Sequence, residues 1–146
     1  FIAQADWDYW TEPKIADLTP AIGRSLTPLN SFGLLRLVKG KELITSGIST
    51  LPANGHNPGH QCVLIESRGH TGVIVGDLIH NVAQVTEQDW CPTFDWNQDM
   101  ARSARKNLLR QAAIDGWIVM AGHLEFGTNI GNIVELNGVF TWSHLQ

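Results

Sequence analysis

Two histidines stand four residues apart in the stretch Gly55-His56-Asn57-Pro58-Gly59-His60. Its glycines and proline favour a loop over a helix. An aspartate, Asp77, follows the apolar run Thr71 to Gly76, which reads as a buried strand. A further imidazole, His123 in Ala121-Gly122-His123, follows a second apolar strand, Trp117 to Met120. Imidazoles and a carboxylate at the ends of β-elements are donors that zinc, manganese and iron accept. The chemistry of this chain is therefore sought at one sheet edge, and the rest of the sequence is read as its support.

The bulk numbers bound what that support can be. The chain has 146 residues, one domain at most, and its 43% apolar share is that of a globular protein. A net charge of −4 gives no basic footprint, so nucleic acid is not expected as a partner. Cys62 and Cys91 make neither a disulfide framework nor a cysteine zinc site. Cys62 opens an apolar strand and reads as a buried thiol. No apolar run reaches the roughly 18 residues of a membrane span, and no leader is recognised. The compartment is left open, with a lean toward the cytoplasm.

In chain order, the aromatic cluster Trp7, Tyr9 and Trp10 reads as a turn facing the core or a lid. Short helical pieces follow at Lys14 to Leu18 and Ala21 to Leu26, with Pro28 as a stop. Leu34 to Val38 and Glu42 to Ile48 read as a strand and its return across Lys39-Gly40-Lys41. Gln61 to Ser67 and Thr71 to Gly76 form a hairpin about Arg68-Gly69-His70, bringing His60 and Asp77 to one edge. The connection from Leu78 to Asp95 is long enough to line a site. Asn97 to Asp115 is the one long helix, with Met100, Ala104, Leu108 and Ala112 at helical spacing. Its basic residues Arg102, Arg105, Lys106 and Arg110 read as a solvated face, Asp95 or Asn97 as its cap and Gly116 as its end. Gly131 to Leu136 and Val139 to Ser143 form a last hairpin about Asn137-Gly138, a strong turn signal.

The loop 55–61, the stretch Gly76-Asp77-Leu78-Ile79-His80-Asn81, the series Gln84, Trp90, Asp95, Ala101 and Arg105, and Ala121-Gly122-His123-Leu124-Glu125-Phe126 through Gly131 share an order and spacing. In that order and spacing the chain resembles the C-terminal portion of metallo-β-lactamase-fold hydrolases, from about Trp7 to Trp142. The branch it looks most like includes methyl parathion hydrolase and the acyl-homoserine lactonases. The resemblance implies an α+β fold, the second half of an αββα sandwich, with a mostly antiparallel or mixed sheet and one long helix. It implies two divalent ions per complete site, zinc foremost. His56 would bind one, Asp77 would bridge both, and His123 would complete the other. His60 and His80 would orient these ligands through their ring N–H groups. Trp7, Trp90 and Phe126 would form an apolar rim for a small-molecule substrate.

The sequence departs from that family in three places. Asn57 replaces a usual threonine, and Glu125-Phe126-Gly127-Thr128-Asn129 replaces a proline-containing segment. The tandem segment His-x-His-x-Asp-His, which supplies four further ligands, does not occur in these residues. Residues 1–146 thus read as a partial domain without that N-terminal segment. A complete site would use a hydroxide shared by two ions to attack an ester, lactone or phosphotriester. The portion by itself would bind metal weakly or not at all and hydrolyse little. The alternative is a non-catalytic remnant that associates with itself through an exposed sheet face. The expected assembly is therefore a homo-oligomer, or a pairing with the missing half.

Overall fold

The computed structural model describes residues 1–145. The chain opens with a short strand, β1 (Ile2–Ala3), followed by three helices, α1 (Gln4–Trp10), α2 (Pro13–Leu18) and α3 (Pro20–Ser31). The aromatic cluster of Trp7, Tyr9 and Trp10 is thus helical, not the expected turn. Pro28 does not stop α3. It removes one N–H from the ladder, yet the next turn still closes, with Phe32 N–H donating to the Pro28 carbonyl at 3.0 Å.

The strand expected over Leu34 to Val38 shortens to β2 (Leu37–Val38), which pairs in parallel with β1. Its expected return is also redrawn. The segment splits at Ser46-Gly47 into β3 (Leu43–Thr45) and β4 (Ile48–Pro52), which pair with each other. Gly47 has a positive φ of 74°, so the turn falls inside the segment read as one strand.

The main sheet continues with β5 (Gln61–Ser67), β6 (His70–Ile74), β7 (Ile118–Met120), β8 (Ile130–Leu136) and β9 (Val139–His144). Its seven strands stand in the order β3-β4-β5-β6-β7-β8-β9. Every neighbouring pair is antiparallel except β6 and β7, whose parallel pairing requires the long crossover between them. That crossover holds a 3-10 turn (Gly76–Leu78), a short helix α4 (Ala83–Thr86) and the long helix α5 (Gln98–Asp115). The two tight hairpins turn where the sequence places them. Arg68-Gly69 and Asn137-Gly138 both adopt positive φ, the geometry that matches strand twist.

One face of the sheet is buried against α5. Leu64, Val73 and Val119 occupy neighbouring register positions and pack with Leu108, Leu109 and Ala112 in one core. Cys62 lies in the same core as a free thiol, its pKa pushed up to about 12 by burial. The face of α5 turned inward is Ala101, Arg105, Leu108, Leu109 and Ala112, rotated from the stripe through Met100 and Ala104 that spacing suggested. Arg105 is consequently buried, not part of a solvated face. Its guanidinium donates to the carbonyls of Leu78, Gln88 and Trp90 at 2.7–3.0 Å and so shapes the crossover from inside. Asn97 caps the helix by accepting from Met100 N–H.

The opposite face carries an aliphatic surface. Ile48, Ile65, Gly72, Ile118 and Asn132 form one row across the strands, and Val63, Ile74, Met120 and Ile130 the next. Ile74 and Ile130 are 41% and 42% exposed.

Replacing Arg105 by Met keeps much of its volume but strands the Leu78 and Gln88 carbonyls. The expected destabilisation in urea is on the order of 3 kcal/mol. Arg110→Met, at an exposed position, is expected to stay within about 0.5 kcal/mol, and equal effects would contradict the role given to Arg105.

Candidate metal centre

The histidine loop is pinned from three sides before any side chain of the site is considered. Its ends close on each other, with Ala53 N–H donating to the His60 carbonyl at 2.8 Å. The start of α5 clamps its middle, because Trp96 and Asn97 N–H donate to the carbonyls of His56 and Gly55 at 3.1 and 2.8 Å. Gly55 makes that approach possible. Its φ is +142°, and a Cβ there would sit 2.2 Å from Ala101 N. On the third side, Asp6 of α1 accepts from Gly59 N–H at 2.7 Å. Burial raises the Asp6 pKa, and the Gly59 bond and the nearby His60 and His56 oppose that rise.

His60 joins this loop to the end of β6. Its Nδ1 lies 3.1 Å from the Ala53 carbonyl, which can only accept, so Nδ1 carries the proton. Nε2 is then free to accept from Asp77 N–H at 3.0 Å. The Asp77 bond requires the neutral ring, and the Ala53 bond fixes its tautomer. Burial lowers its pKa, with the Ala53 bond and Asp77 opposing and His56 adding to the fall. Gly76 lets the chain turn here, with φ +53° and space for a Cβ denied by His60 Nε2 at 2.9 Å.

Asp77 projects between two imidazoles. Its Oδ2 lies 3.5 Å from His56 Nε2 and its Oδ1 2.5 Å from His123 Nε2. Desolvation raises the Asp77 pKa, but the His123 hydrogen bond and the charges of His56, His123 and His60 outweigh it, and the net shift is downward. Behind His56, the Nδ1 position meets Asp95 Oδ1 at 2.9 Å, and the Asp95 side chain is almost fully enclosed. A carboxylate on the far nitrogen of an imidazole fixes its tautomer and raises its basicity as a ligand. In the sequence Asp95 stands as a possible helix cap and as one position of the series that carries the family resemblance, with no role at the site attached to it. The signal for its actual place was the requirement that a ligating imidazole have an outer partner.

The structure thus brings His56, Asp77, His123, His60 and His80 to one place. His80 stacks on His123 with ring centroids 4.7 Å apart and lies 5.1 Å from His56. One donor atom each from His56, Asp77 and His80 lies within 4.8 Å of the others. Burial lowers the His80 pKa, and His123 and His56 lower it further against the pull of Asp77 and Asp95. The aromatic side chain packed on these imidazoles is Phe94, edge-on to both His56 and His80 at 5.8 and 5.3 Å. Of the three aromatic residues expected at the rim, Trp90 and Phe126 are 61% and 97% exposed, and Trp7 is half-buried within α1. A cleft of about 360 Å³ lies behind the loop between Ala3, Val38 and Gln61, and one of about 340 Å³ opens beside His80 and His123. The second has Val82, Leu124, Glu125 and Trp142 among its other walls.

The donor chemistry fits divalent ions. Neutral imidazoles and a carboxylate with one oxygen toward each of two histidines are the groups that such ions take. No family model and no curated protein matches the chain. Among solved structures it is similar to AidC, a dizinc quorum-quenching lactonase in complex with a product, at 23% identity and a TM-score of 0.85. It is likewise similar to hydrolase AbOPH of the β-lactamase superfamily, at 21% identity and a TM-score of 0.89. A probable metal-dependent hydrolase from Staphylococcus aureus matches over 77% of this chain and 41% of its own, at 17% identity and a TM-score of 0.56. The first two cover 100% and 99% of this chain but only 54% of their own, so the chain spans about half their length. The chain has a partial metallo-β-lactamase fold, and the structures it is similar to are a dizinc lactonase, a hydrolase of the β-lactamase superfamily and a probable metal-dependent hydrolase.

The buried imidazole of His60 and the half-buried one of His80 give the metal-free chain a pH dependence of known sign. His60 and His80 take up a proton less readily folded than at the ordinary value of 6.5. The unfolded chain binds more protons in that window, so stability rises with pH there. The urea midpoint in chelator is expected to be level above about pH 7.5 and to fall as pH drops below about 6.5. His60→Gln is expected to make that fall shallower, and a midpoint unchanged down to about pH 5.5 would contradict the assignment.

Proposed function

We propose that this chain supplies part of the metal centre of a metal-dependent hydrolase acting on a small ester, lactone or phosphotriester. The observation that carries the reading is Asp77, with one carboxylate oxygen toward His56 and the other toward His123. In this reading His56 serves one ion, His123 the other, and Asp77 both, with zinc the first candidate. Bound divalent ions would supply an activated water near neutral pH and polarise the carbonyl or phosphoryl oxygen of the substrate. The chain's own residues do the positioning. Asp95 holds the His56 ring, His60 holds the backbone of Asp77, and Phe94 shields one side of the imidazoles from water. The cleft beside His80 and His123 offers room for a small molecule.

Two protein donors for each ion are fewer than the three or four of established sites. That shortage, together with a span of 54% of AidC and AbOPH, supports donors from outside these residues. The chain alone with zinc is expected to hydrolyse lactone, aryl ester and phosphotriester probes at the background rate. Supplied in cis or in trans with a segment bearing His-x-His-x-Asp-His, it is expected to turn over at least one of the three. Asp77→Asn should then cost more than the roughly hundredfold typical of losing an outer partner. A metal-loaded, completed protein inert to all three probes would sink the reading.

The aliphatic rows on the open sheet face favour a second reading, a non-catalytic remnant that self-associates through that face. Exposed apolar surface of this kind marks an interface. A dimer in solution that Ile74→Glu converts to monomer, and that holds no metal, would decide for the second reading.

A further inference from the structure

We propose that His80 is a metal ligand in this chain, forming with His56 and Asp77 a three-donor site for one divalent transition-metal ion without donors from elsewhere. The inference stands apart from the hydrolase reading, which assigns one ion to His56 and Asp77 and the other to Asp77 and His123.

Three observations carry it. The first is proximity, since one donor atom from each of the three residues lies within 4.8 Å of the others. His56 Nε2 and Asp77 Oδ2 are already 3.5 Å apart. That is close to the separation of neighbouring donors around an ion with bonds of about 2.0–2.1 Å, so His80 alone has to close in. The second is an unmet polar atom. Nδ1 of His80 is buried without a hydrogen-bond partner among the described residues. A buried imidazole nitrogen left in that state costs free energy, which coordination of His80, or a proton donor brought with a bound ion's water, would recover.

The third observation is that all three residues are held by buried side chains rather than by the ligands' own contacts. The carboxylate of Asp95 accepts a hydrogen bond from His56 Nδ1–H, which leaves Nε2 with its lone pair on the Asp77 side. His60 accepts the Asp77 amide proton. Gln84, itself buried, accepts from the backbone N–H of His80 at 2.7 Å and of Asn81 at 3.1 Å with one side-chain oxygen. Metal sites require this kind of support, since a donor left loose by an ångström binds poorly. Two imidazoles and one carboxylate form an open donor set, the kind that holds zinc in hydrolytic sites or iron in a facial triad. His123 is the competing donor. It lies on the other oxygen of Asp77, half-exposed, with its ring stacked on His80.

The test is a Co²⁺ titration of the 146-residue chain followed by visible absorption, with Zn²⁺ competition, on wild type, His80→Ala and His123→Ala. The expected result is one equivalent bound by wild type. His80→Ala should lower affinity by more than about tenfold, beyond the low end of what an outer partner costs, and His123→Ala should lower it by clearly less. In the Co²⁺-loaded wild type, paramagnetically shifted ring N–H signals from two histidines are expected, one of which is absent in His80→Ala. His80→Gln replaces the alanine variant if circular dichroism shows that variant unfolded. No binding by wild type, an affinity indifferent to His80, or a loss in His123→Ala equal to or larger than that in His80→Ala would each overturn the proposal. A His80-dependent ion in a completed protein that hydrolyses nothing would keep this inference and remove the hydrolase reading.

Discussion

The imidazole of His60 is the joint on which the site depends. It is a buried ring with a carbonyl on one nitrogen and an amide on the other, and so it ties the histidine loop to the end of β6 in one orientation. Neither bond survives the wrong tautomer, and a protonated ring would lose the second. Because both partners are backbone atoms, the joint fixes where the chain runs, and the side chains of His56 and Asp77 follow from it. Gly76 is the steric counterpart of the same joint, since any larger residue would push on His60.

A second constraint works from the other side of the crossover. The segment from Leu78 to Asp95 contains little regular structure, and loops of that length are seldom fixed without help. Arg105 supplies that help by reaching from α5 into three of its carbonyls, while Gln84 holds its own turn and the Trp90 carbonyl. The result is that Asp95 and Phe94, at the end of this segment, arrive beside His56 and His80. A cation buried among carbonyls, with no carboxylate partner among the described residues, stays favourable only where its donors are well satisfied. Here that requirement fixes the loop's path.

The sheet has two faces with different fates. The side toward α5 is a closed core of aliphatic residues and a protonated thiol. The other side presents aliphatic rows to solvent, and such a surface is the mark of a layer that packs against something else. The candidate metal donors proposed above lie where the strands and their loops end, which is where a second layer would also contribute groups. This geometry links the partial span of the fold to the shortage of donors within it.

Local sequence by itself determined the two tight hairpins, the long helix and the placing of His60, Asp77 and His123 at strand ends. Alternating apolar runs, positive-φ turn pairs and an asparagine cap act over a few residues and need no partner. Local signals also place α2 and the body of α3, whereas helix α1, the run of α3 past Pro28 and the division of β3 from β4 differ from the sequence reading because weak local preferences there are decided by neighbouring chain. Only the tertiary structure could place Arg105 inside, since a rotation of the helical stripe by one residue turns a solvated position into a buried one. Likewise, that Asp95 stands behind His56, and that His80 comes within reach of His56 and Asp77, depends on a fold that joins residues tens of positions apart. Sequence states which groups can bind a cation, and three-dimensional packing decides which of them meet, because donor distance is a property of space and not of spacing along the chain.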